Sequence, residues 1–268
     1  MAKQINNEPC LCGSGVKQKI CCPGKMPHTP WAVFPEELAV GELLKISKKF
    51  RSFYFSERGK VTDPIFWAQD FSLPPGVDFS CTKLNTRELI IRFRKIPARS
   101  EDAIKVAHEL QHLILSAEGF PGVAFKDSRF EHISSSMGSM VLDPLVNARL
   151  KTHGFNLRKD YEAELKETAS QLANFPQPPT NRFDKILWTF NYTANLLDWE
   201  TASQKINQGN DEFHKWFDKQ YPKIARKAWD LFFKIKETGY DTPEKLVKVF
   251  SEIIREYKLE KSVFIVNS

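Results

Sequence analysis

Four of the five cysteines in this 268-residue chain, Cys10, Cys12, Cys21 and Cys22, crowd into a single short stretch near its start, and Cys81 stands alone. So short a stretch cannot bury enough apolar area to hold a fold by itself, so it must be cross-linked or wrapped around a metal. Met1 to Glu8 is polar and offers no apolar run for a signal peptide, and no stretch approaches the roughly 18 apolar residues of a membrane span. A cytoplasmic protein without a membrane partner is therefore expected, and there clustered thiols serve as metal ligands rather than disulfides. Zinc takes four thiolates in a tetrahedron at about 2.3 Å. Cys10-Leu11-Cys12 and Cys21-Cys22 supply two close pairs, and Gly13-Ser14-Gly15 supplies the tight reversal between them.

The run Pro9-Cys10-Leu11-Cys12-Gly13-Ser14-Gly15, followed by Lys17, Lys19 and Cys21-Cys22, resembles the SEC-C motif found at the C-terminus of the SecA translocation ATPase. The match spans nearly the whole motif and only a small part of the chain. It implies one structural zinc held by all four cysteines. In SecA the motif contacts a chaperone partner and ribosomes, which implies a docking role for a protein or ribosome partner.

Beyond the cysteines, a hydrophobic content of 41% and an aromatic content of 12% are sufficient for a packed core. Pro23-Gly24, Pro27 and Pro30 read as a linker, and Phe175-Pro176-Gln177-Pro178-Pro179-Thr180 as a second break. Three regions follow: a zinc knuckle with its linker over 1–27, a metal-binding domain over 28–175 and a helical region over 176–268. Apolar spacing predicts a helix from Pro35 to Phe50, loop-rich chain over 61–83, and a strand from Leu89 to Ile96. A helix opens at Ser100 and ends near Glu118-Gly119, and another runs from Ser136 to His153, stopped by Gly154. Beyond Asp160 the pattern is almost wholly helical, with Trp188, Trp199, Trp216 and Trp229 read as core. The expected fold class is α+β and mostly helical.

The helix that opens at Ser100 carries His108-Glu109-Leu110-Gln111-His112. Residues four apart share a helix face, so both imidazoles can hold one metal, with Glu109 beside the water it would activate. Val106, Ala107, Leu110, Leu113 and Ile114 fall on the opposite arc, which leaves the histidines to face a cleft. The same residues also make an ordinary solvated face, in which Lys105 pairs with Glu109. A zinc peptidase needs a third protein ligand. Glu118, Glu131, His132 and Asp143 are the candidates, and Glu118 points away from the pair.

Asp143-Pro144-Leu145-Val146-Asn147 on the next helix makes residues 85–155 similar to the ImmA/IrrE-type metallopeptidases, in which a second helix carries an acidic ligand followed four positions on by Asn. The resemblance implies His108, His112 and Asp143 as zinc ligands and Glu109 as general base. It also implies a small zincin-like sheet ahead of the metal helix, with the Leu89–Ile96 strand aligning an extended peptide or protein substrate. Asp stands where those enzymes usually have Glu, and Pro144 falls inside the helix. Asp143 also reads as an N-cap with Pro144 at the first helical position.

Two zinc ions per chain are thus expected, and a metallopeptidase with a docking module is the leading reading. The rival is a zinc-binding adaptor without catalysis. A nucleic-acid binder using Lys48-Lys49-Phe50-Arg51-Ser52-Phe53-Tyr54-Phe55 is disfavoured, because that stretch turns aromatics into the core. His132 and His153 are candidates for stabilising a developing oxyanion, although a lone histidine near a helix end is more often a cap.

Overall fold

A computed structural model describes residues 32–73, 77–83, 89–95, 99–173, 177–203 and 212–266. The chain divides into two units, Met1–Ile114 and Leu115–Ser268. The architecture is α+β and mostly helical with a small mixed sheet, and among the described residues no helix is long and apolar enough to cross a membrane.

The first unit is built around four strands: β1 (Ala32–Phe34), β2 (Ile65–Gln69), β3 (Phe79–Lys83) and β4 (Leu89–Phe93). They lie in the order β1-β2-β4-β3, with β2 and β4 parallel and both outer strands antiparallel to their neighbours. The central pair is buried on both faces: Trp67, Ala68, Ile90 and Ile91 are at most 1% exposed, which suits strands read as continuous apolar runs. The segment expected to be loop-rich thus holds two strands. Pro64 precedes the first of them, and the pairing that makes them strands is with β4. At the end of β2, Asp70 accepts from the Ser72 hydroxyl and N–H and meets Arg92 at 3.3 Å. Burial pushes the Asp70 carboxyl up, but those hydrogen bonds and the Arg92 charge outweigh it and hold the group below the usual carboxylate range.

Two helices, α1 (Glu36–Ile46) and α2 (Lys48–Glu57), replace the single one expected over 35–50. Ser47 ends the first and caps the second, its hydroxyl accepting the N–H of Phe50 at 3.2 Å. Phe50 and Phe53 are fully buried, while Phe55 is exposed, so the basic aromatic stretch spends two of its rings on the core. Glu36 ties the pair of helices together by accepting from Tyr54 at 2.6 Å and from Arg58 at 2.7 Å.

Helix α3 (Asp102–Ala117) runs through the division between the units. The second unit continues with β5 (Gly122–Phe125), α4 (Glu131–Thr152), α5 (Arg158–Ala173), α6 (Arg182–Ser203), α7 (Glu212–Gln220), α8 (Pro222–Thr238), α9 (Pro243–Glu256) and β6 (Val263–Val266). Helix α6 packs between α4 and α8, and β5 pairs antiparallel with β6. The Tyr192 and Phe217 rings stack at 3.9 Å, and Asp218 accepts from the Tyr192 hydroxyl at 2.6 Å. Phe190, Tyr192, Phe217 and Phe250 form the buried aromatic core, whereas the four tryptophans expected there are half-buried at its rim.

Candidate metal centre

Helix α3 starts two residues later than Ser100, and the Asp102 side chain at its start accepts the Arg99 N–H at 3.3 Å. It ends before Gly119, whose φ of +85° is a backbone conformation that glycine adopts without strain. The apolar arc is buried as its spacing requires: Val106, Ala107, Leu110 and Ile114 have no exposure, and Leu113 has 4%. His108, Glu109 and His112 are half-buried.

The Nε2 atoms of His108 and His112 stand 3.1 Å apart, with the rings edge-on at 74°. Two nitrogens bound to one tetrahedral zinc, each at about 2.0–2.1 Å, would be about 3.3 Å apart. The pair is therefore spaced for a single ion. Lys105 does not pair with Glu109; its ammonium lies 2.9 Å from the Asp78 carboxylate. That hydrogen bond and its charge hold Asp78 below the usual carboxylate range. Among the described residues Glu109 makes no hydrogen bond or ion pair, so its carboxylate is available as a base.

Helix α4 begins at Glu131, five residues earlier than expected, and runs unbroken past Pro144. Asp143 is therefore not an N-cap, and Pro144 is not a first-turn proline. Inside the helix Pro144 has no N–H to give the Met140 carbonyl, a cost that a helix interior tolerates only where packing offsets it. One turn after Asp143, Asn147 donates to Asp198 at 2.7 Å. His108, His112 and Asp143 are the one group among the described residues that could hold a metal ion: each offers one ligand atom, and these atoms lie within 4.8 Å of one another. Two imidazoles and a carboxylate suit zinc, and such a set leaves a fourth position for water or substrate.

The rival ligands are engaged or placed otherwise. Glu118 forms an ion pair with Arg149, and Glu131 and His132 are exposed in the first turn of α4. His153 closes α4, its N–H donating to the Leu150 carbonyl while the Gly154 N–H donates to that of Lys151. Cys10, Cys12, Cys21 and Cys22 lie outside the described residues, while Cys81 is half-buried on β3.

Gln111 was not singled out by its position in the motif, yet it has no exposure and neither amide atom has a hydrogen-bond partner among the described groups. Its helical position is 60° round from His108, on the side away from Glu109. A polar residue on the apolar arc is the one signal that could have flagged it. Comparison with family models, with curated proteins and with solved structures gives no match.

Proposed function

We propose that this chain is a zinc-dependent metallopeptidase, with His108, His112 and Asp143 holding the ion and Glu109 acting as general base. The observation that carries the reading is the grouping of three ligand atoms within 4.8 Å, with Glu109 next in sequence to His108 and without a hydrogen-bond or ion-pair partner among the described residues. Bound there, zinc would supply Lewis acidity and make a water acidic enough to ionise near neutral pH. Glu109 takes the proton of the attacking water and returns it to the leaving amine as the peptide bond breaks. The two histidines orient through their Nε2 atoms, and the buried arc of α3 fixes them in that direction.

Cys10, Cys12, Cys21 and Cys22 hold a second, structural zinc in a SEC-C motif that docks a protein or ribosome partner. A cytoplasmic setting accords with this ligation, because reducing conditions keep thiolates free for zinc.

Glu109→Gln tests the assignment, read out together by peptide hydrolysis and by zinc content. Two zinc ions per chain should remain in parent and variant alike, while hydrolysis falls by about 10²- to 10⁴-fold. Loss of an ion in the variant would make Glu109 a ligand. A parent that holds two ions and cleaves nothing would favour a zinc-binding adaptor.

A further inference from the structure

The second unit holds a cleft of about 1380 Å³ walled by the start of α6, the start of α8 and the end of α9. Its charge is lopsided. Lys185, Lys223 and Lys227 line it, all three are exposed, and among the described residues none of them makes an ion pair. Of the acids on the wall, Glu256 is already paired with Lys234 at 2.7 Å, which leaves Asp230. Arg182 is spent on structure, donating to the Tyr257 carbonyl where α9 ends.

Lys223 and Lys227 are four apart in the first two turns of α8, so they share a face and repel one another. They also stand at the positive end of the helix dipole, and the first turn carries no acidic residue to offset them. Nor is this end capped: Tyr221 offers no side-chain bond, Pro222 has no N–H, and the N–H of Lys223 has no acceptor among the described residues. A second observation is independent of the helix end. Tyr221 lines the cleft and is 2% exposed, yet among the described residues its hydroxyl has no hydrogen-bond partner. Burial raises the pKa of that phenol, so it stays protonated and able to donate. Unsatisfied donors and unpaired cations converge here, and an anion with several acceptor oxygens satisfies both.

We propose that this cleft binds a phosphate-bearing ligand, held by Lys185, Lys223 and Lys227, by the backbone N–H of Lys223 and by the Tyr221 hydroxyl. The proposal is independent of the metal helix, since none of these residues belongs to it.

Calorimetric titration of the full chain with inorganic tripolyphosphate and with ATP tests it. Tripolyphosphate should bind at low salt and weaken as salt rises. The double substitution Lys223→Gln/Lys227→Gln should lower affinity about 10- to 100-fold, from the loss of two charge-assisted bonds. Tyr221→Phe should lower it about threefold or more with the helical CD spectrum unchanged. ATP binding more tightly than tripolyphosphate would assign the ligand to nucleotides, and equal binding would assign it to free polyphosphate; both carry the phosphate site. No binding at low salt, a double variant within twofold of the parent, or an unchanged Tyr221→Phe affinity would overturn it.

Discussion

Helices α3 and α4 bring their polar groups to the proposed centre by opposite routes. Helix α3 is cleanly two-faced: one arc is fully buried, and His108, Glu109 and His112 fall outside it. Helix α4 is not. Ile133, Met137, Val141 and Leu145 line one side, Val146 and Leu150 lie on another, and Pro144 is buried within the run. A carboxylate on α3's polar face would need no special reason, because such a face meets water by default. Asp143 is half-buried next to the buried Pro144, on a helix whose buried residues spread over more than one side, and a carboxylate there gains from a partner. The difference teaches that amphipathic patterning can nominate the histidines, whereas the third ligand must be judged by the chemistry that keeps it there.

The largest expected effect breaks the comparison at α4. Asp143→Ala should weaken binding of the zinc at His108 and His112 by more than about 100-fold, since even loss of a group that only orients a ligand costs about 10- to 100-fold. Glu131→Ala and His132→Ala, both at exposed positions, should leave zinc content unchanged. Zinc titration of the three proteins decides the matter, and retention of the ion by Asp143→Ala would remove α4 from the centre.

A middle-sized effect sharpens the account of α3. Gln111→Leu removes two buried polar atoms that have no partner among the described residues, so chemical denaturation should show a gain of about 1–3 kcal/mol. A simultaneous fall in hydrolysis with zinc retained would give the amide a role beside the ion. The smallest effect concerns Glu118, whose side chain is 27% exposed and paired with Arg149. Glu118→Ala should cost at most about 1 kcal/mol, with zinc content unaltered. Loss of an ion from that variant would undo the distinction between a surface pair and a ligand.

What could be read in advance was local. The buried arc of α3, its histidine spacing and the glycine stops after α3 and α4 all follow from residues within a few turns of one another. The split at Ser47 was also local, resting on a serine cap three residues before Phe50, but continuous apolar spacing concealed it. Strands β2 and β3 could not be read because five residues acquire strand identity from a neighbour: Trp67 pairs with Ile91, and Cys81 with the same Ile91 from the other side. The second cleft is further still from legible. Lys185 comes from α6 and Tyr221 and Lys227 from α8 and its N-cap, and no spacing rule links the two helices.

The pairing of β5 with β6 also sets a clock. Gly122 lies opposite Val266, so about 140 residues must be synthesised between the two strands. At about 5–20 residues per second, that takes roughly 7 to 28 seconds. Throughout this interval β5 is a nascent edge whose backbone donors and acceptors have no mate. Its four-residue length limits the opportunity for a neighbouring nascent chain to dock there, since very short edges are poor templates for aggregation. Strand β6 is thus the mate that β5 must await until every helix between them has been made.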